Sequence, residues 1–109
     1  MKSFEDHIYL PVPEGQALPL ISGVLARFEG AKHVETVDAG LIRVAVSASF
    51  ESWGEVITCR LTPAEGGVKV TVRSDSKFAL TMTDWGKNRR NVSKLLRRIE
   101  ASISEVGLR

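Results

Sequence analysis

One cysteine, two histidines and 6% aromatic residues are a thin supply of the side chains that most often carry chemistry in a chain of 109 residues. Cys59, being alone, forms no internal disulfide, and in its strand-like surroundings it reads as a small buried hydrophobe. His7 and His33 show neither an HxxxH nor an HExxH spacing and are expected at strand ends. A nucleophile elbow, a phosphate-binding glycine loop and a dinucleotide-binding glycine motif are all missing. No catalytic residue and no metal ligand can therefore be named, and no cofactor is expected. The acidic pair Glu5-Asp6 reads as solvated surface, and an enzyme is the less favoured class. Long apolar runs are also missing: none approaches the ~20 residues needed to cross a bilayer. The first residues, MKSFEDHIYL, lack the cationic-then-apolar order of a signal peptide. The expectation is a cytoplasmic protein without a transmembrane segment.

What is present is ordinary globular composition, 43% hydrophobic and 26% charged. It predicts one domain over residues 1–109, a length at which folding hides roughly two-thirds of the unfolded chain's surface. The net charge is only +2, but it is unevenly placed. Lys87, Arg89, Arg90, Lys94, Arg97 and Arg98 bring six positive charges into 87–98 with no acid among them, which leaves the rest of the chain acidic. Such asymmetry calls for an anionic partner or an acidic counterpart within the chain.

Hydrophobic spacing orders the elements. Phe4, Ile8 and Leu10 mark a first strand, stopped by Pro11 and Pro13. Leu18, Ile21, Leu25 and Phe28 recur at helical intervals, and Pro19, cheap only in a first turn, places the regular start of that helix near Ala17. Gly30 is the expected left-handed cap. Lys32 to Asp38 follows as a short strand in which Val34 and Val37 break alternation, and Ala39-Gly40 is a turn. Strict alternation then runs from Ile42 to Phe50, from Val56 to Leu61, and from Val68 through Ser74 and Ser76 as far as Met82, as one long bent strand. Pro63 to Gly67 reverses the chain between the last two. The prediction is an α+β domain, order β-α-β-β-β-β-α, with an antiparallel sheet of four to five strands carrying two helices on one face.

The closing helix is drawn by the stretch from Thr81 to Ile103. Asp84 is a preferred N-cap, so the helix is expected to begin at Trp85. Trp85, Asn88, Val92, Leu95, Leu96, Ile99, Ile103 and Val106 fall on one arc, while Lys87, Arg90, Lys94, Arg97 and Arg98 fall opposite. Asn88 is an amide on the apolar arc and must find partners, a backbone turn being the expected one. Gly86, costly within a first turn, implies close approach to the backbone, with Trp53 the candidate neighbour. Trp53, Asp84, Trp85 and Asn88 thus read as a structural latch, and Gly107 as the terminal cap.

Three segments, Ser52-Trp53-Gly54-Glu55, Arg73-Ser74-Asp75-Ser76-Lys77 and Asp84-Trp85-Gly86-Lys87-Asn88-Arg89-Arg90-Asn91-Val92, resemble a group of small bacterial proteins of unassigned function. These carry an SWGE-like strand start, an S-x-S strand and a DWGKNRxNV helix start. The resemblance spans about 50–99 and implies a shared α+β fold. More remotely, 73–88 is similar to the R-S-x-S-R … D-x-G-x-N pattern of a second bacterial domain group, with Lys77 in place of the final arginine. Neither resemblance implies an activity.

The function expected from the residues is a non-enzymatic binding module whose basic helix face (Lys87, Arg90, Lys94, Arg97 and Arg98) contacts an acidic protein or other polyanion. A face solvated by water or by the chain's own acids is the plainer reading. Nucleic acid ranks lower because aromatics do not interleave with the cations. A small anion held at the helix start by Lys87, Arg89 and Ser74 or Ser76 competes with capping by Asp84. The alternative function is a small-ligand carrier with a pocket lined by residues such as Val44, Phe50, Ile57 and Leu96. An edge strand could also pair two copies as a homodimer.

Overall fold

The computed structural model describes residues 3–48, 54–77 and 86–107. The elements run β1 (Ser3–Leu10), α1 (Glu14–Ala26), β2 (Ala31–Asp38), β3 (Leu41–Val46), β4 (Glu55–Ala64), β5 (Gly67–Ser76) and α2 (Lys87–Gly107). All sheet pairings are antiparallel, in the order β1-β5-β4-β3-β2. The fold is the expected α+β arrangement, in which the meander of β2 to β5 receives β1 against its last strand. Among the described residues no helix is long and apolar enough to cross a membrane.

Strand parity decides which side chains are buried. Ile42, Val44 and Val46 of β3, Ile57, Cys59 and Leu61 of β4, and Val68, Val70 and Val72 of β5 all point to one face and are at most 4% exposed. Ala17, Ile21, Val24 and Leu25 of α1 and Val92, Leu95, Leu96, Ile99 and Ile103 of α2 close over that face in one cluster. Each buried Val, Leu or Ile contributes about 1.5–3 kcal/mol through water exclusion, so this cluster dominates the fold's stability. Helix α2 rests on β1 and β5, while α1 touches α2 and the strands toward β2. Between them the two helices cover the sheet.

Several local expectations need correction. Helix α1 starts at Glu14, not near Ala17: the Pro13 carbonyl accepts the amides of Gln16 and Ala17, each at 3.0 Å. Pro19 lies inside the helix, at an exposed position. The Gly15 carbonyl that it leaves without a helical donor belongs to an exposed residue, where water can serve instead. Gly30 does not cap α1, which closes earlier through the Arg27 amide on the Gly23 carbonyl and the Phe28 amide on that of Leu25. It turns the chain into β2 and accepts the Ser47 amide at 2.9 Å. The broken alternation of Val34 and Val37 is a pair of register shifts in β2, which leave Val37 41% exposed. Strand β3 ends at Val46, opposite Glu55, with Ser47 and Ala48 beyond its ladder, and β5 is described as far as Ser76. The expected continuations to Phe50 and Met82 lie outside the described residues.

Candidate functional site

Two features meet on α2: a buried polar cluster near its N-terminal end and a line of cations along its outer side. The cluster draws on three segments distant in sequence. Glu55 opens β4, Ser74 and Ser76 close β5, and Asn88 and Asn91 lie in the first turns of α2. Glu55, Ser74 and Asn88 are fully buried and Asn91 is nearly so. The Ser74 hydroxyl donates to Asn88 Oδ1 at 2.7 Å, and Asn88 Nδ2 donates to the Ser76 hydroxyl at 3.0 Å. Asn91 Nδ2 donates to Glu55 Oε1 at 2.9 Å and lies 3.2 Å from Ser74 Oγ. Among the described residues no buried side-chain polar atom is left without a partner. The set therefore meets the condition under which buried polar groups specify a packing rather than weaken it.

The partners of Asn88 include two serine hydroxyls of β5. Glu55 and Asn91 were not among the expected site residues, yet the signals were available. Glu55 shares the inward parity of Ile57, Cys59 and Leu61, and Asn91 lies one helical turn before Leu95. Trp53, Asp84 and Trp85, the other members of the expected latch, lie outside the described residues.

Two glycines frame the cluster through their backbones. Gly54 has φ +103, and a Cβ there would stand 2.7 Å from the Val46 carbonyl oxygen, so both conformation and space demand glycine. Its own carbonyl accepts the Lys77 amide at 3.0 Å, joining the start of β4 to the end of β5. Gly86 precedes α2 rather than lying in its first turn, and its φ of +74 explains the glycine. Among the described residues a Cβ there would meet the Arg90 guanidinium at 3.3 Å, while Trp53, the expected neighbour, lies outside them.

The outer side of α2 carries all five expected contact residues, but they divide. Arg98 forms a two-pronged bond to Glu29, with nitrogen to oxygen distances of 2.6 and 3.2 Å, and Lys94 lies 3.9 Å from the same carboxylate. Both cations also lie over the Phe28 ring, at 5.6 and 5.8 Å from its centre. The Arg98 fork holds the Glu29 carboxyl down at about 2, against an ordinary 4.5, with help from a backbone hydrogen bond and the Lys94 charge. Lys87, Arg90 and Arg97 complete the line, with Arg90 and Arg97 exposed. Arg89, beside it, sits over the Phe4 ring at 5.6 Å. Of the groups expected to hold a small anion at the helix start, Arg89 lies over Phe4 and Ser74 and Ser76 are bonded to Asn88.

Two surface recesses accompany these features. One, of about 370 Å³, lies between α1 and α2 and is lined by Val24, Arg27, Glu29, Arg98, Ala101 and Ser102. The other opens on the far face of the sheet, where Glu5, Arg73, Thr58, Arg43 and Glu35 stand in one cross-strand row over all five strands. In that row Arg43 pairs with Glu35 at 3.0 Å and Arg73 with Glu5 at 3.9 Å, and Asp75 beside the row raises the Arg73 pKa through a 3.0 Å bond. These pairs are exposed and worth about 0–1 kcal/mol each. Cys59 is fully buried, and burial pushes its thiol up to about 12. Among the described residues no group of three His, Cys, Asp or Glu side chains could hold a metal ion.

No protein-family model matches this chain, and no curated protein matches it. Among solved structures, the crystal structure of Ara h 8.0201 is 15% identical and aligns over 97% of each chain with a TM-score of 0.48. That of TTHA0849 from Thermus thermophilus is 12% identical, covers 95% of this chain and 98% of its own, and scores 0.47. At these identities the likeness carries no family, ligand or activity across.

Proposed function

We propose that the chain is a non-enzymatic binding module whose partner is an acidic protein surface, engaged by the outer side of α2. The observation that carries this reading is the division of one helix. Val92, Leu95, Leu96, Ile99 and Ile103 are buried in the core, whereas Lys87, Arg90, Lys94, Arg97 and Arg98 line the other side, outside that core. The buried cluster of Glu55, Ser74, Ser76, Asn88 and Asn91 then has a supporting role: it fixes the rotation of α2 on the sheet and so aims the cations outward. On this reading the described parts of the three motifs, Gly54-Glu55, Ser74 to Ser76 and Asn88 to Val92, serve to seat α2.

Chemical-shift mapping with an oligoglutamate peptide tests the assignment. Perturbations along Lys87, Arg90, Lys94, Arg97 and Arg98 are expected, whereas perturbations centred on Arg43, Arg60 and Arg73 of the open sheet face would refute it.

The small-ligand carrier is the second reading, favoured by the polar groups of Glu55, Asn88 and Asn91 between sheet and helix, since ligand sites combine an apolar wall with a few such groups. That these groups satisfy one another places it second. A rise in melting temperature with any member of an apolar-acid ligand panel would promote it.

A further inference from the structure

Among the described residues, Glu29 is the one carboxylate seated against the expected contact cations of α2, and its position is that of a ligand. It lies in the turn between α1 and β2, with its side chain 63% exposed, and Arg98 grips both of its oxygens. From this we infer that Glu29 is an internal stand-in for the partner's carboxylate: an acidic side chain of the partner exchanges with it at Arg98 and Lys94. The inference rests on the binding-module reading above.

Three observations support the exchange. First, the cations have a second anchor. Arg98 and Lys94 both lie over the Phe28 ring, and Phe28 is itself only 5% exposed, so the receiving groups remain in place when Glu29 leaves. Second, the leaving contact is weak for its geometry. An exposed ion pair is worth little net because water solvates the separated charges, so trading it for an equivalent external pair is close to neutral. Third, the adjoining recess is short of negative charge without Glu29. Its lining holds two guanidinium groups, Arg27 and Arg98, with Glu29 as the only acid among the described residues there, over an apolar floor from Val24 and Ala101. A carboxylate on a short aliphatic stem complements that lining. The group that the planar fork of Arg98 holds in this structure is itself a carboxylate, so the matching partner group is taken as an acidic peptide side chain; a phosphate would also fit the fork, and the oligonucleotide arm of the test separates the two.

Fluorescence anisotropy with a labelled decaglutamate peptide, read against wild type, Glu29→Gln, Arg98→Ala and the double variant, tests the exchange. Glu29→Gln is expected to tighten binding by about 2- to 5-fold, the range of one exposed ion pair, and to lose that gain in the Arg98→Ala background. An unchanged or weakened Glu29→Gln affinity overturns the exchange while leaving the binding face intact. A gain that persists without Arg98 also overturns it, because it reports general charge repulsion. Wild-type binding that survives reversal of Lys87 and Arg97 overturns the proposed face instead, and failure of every form to bind overturns both. A larger gain for a labelled oligonucleotide than for decaglutamate overturns the choice of an acidic peptide.

Discussion

Single groups carry the sharpest expectations. Glu29 has a folded pKa lowered to about 2 from an ordinary 4.5, so its bond to Arg98 contributes above that ordinary value and is lost as pH falls toward the folded one. Because both partners are exposed, the effect on stability is small and the measurement is spectroscopic. An NMR titration should find the Glu29 carboxyl midpoint below 4.5 in the wild type and restored toward 4.5 in Arg98→Ala; a wild-type midpoint already at 4.5 would show that the fork is not populated in solution. Cys59 should resist a thiol reagent at neutral pH until the protein is denatured, since burial alone both hides the sulfur and raises its pKa to about 12. Rapid labelling of the native protein would contradict the packed core. Asn88→Ala removes one partner from each of two serine hydroxyls, including the fully buried Ser74, and should cost about 1–3 kcal/mol in denaturant unfolding.

Among the elements, parity and helical period carried most of the architecture. The alternation of Ile42 to Val46, Val56 to Leu61 and Val68 to Val72 is what a sheet with one covered face requires, and the arc from Val92 to Ile103 is its helical counterpart. The failures have physical causes. Alternation does not say where pairing stops, so β3 reads longer than its ladder with β4. Pro19 looks like a boundary because the sequence does not reveal that Gly15, four residues earlier, faces solvent. The register shifts of β2 show in sequence only as two misplaced valines. Leu95, fully buried and central in α2, tests the packing directly: Leu95→Ala should cost about 2–5 kcal/mol with the helix otherwise intact, and a cost below about 1 kcal/mol would mean that α2 does not dock as described.

For the molecule as a whole, the candidate site was half legible. The sequence places Lys87, Arg90, Lys94, Arg97 and Arg98 on one side of a helix because that follows from angular spacing alone. It does not pair Glu29 with Arg98, because contact between residues 69 positions apart depends on how α1 packs against α2. Nor does it bring Glu55 to Asn91, although strand parity and helical period each point the residue inward. The uneven charge of the chain is thus partly neutralised internally at Glu29, and the proposed function uses the whole basic side, Arg98 and Lys94 included.

The most direct test of that function is the affinity of labelled decaglutamate for the wild type and for the Lys87→Glu, Arg97→Glu double variant, with folding confirmed by an unchanged melting temperature. Salt-sensitive binding that the double reversal weakens by roughly tenfold or more is the expected result. Equal affinity of the two proteins, at any salt concentration where the wild type binds, would contradict it.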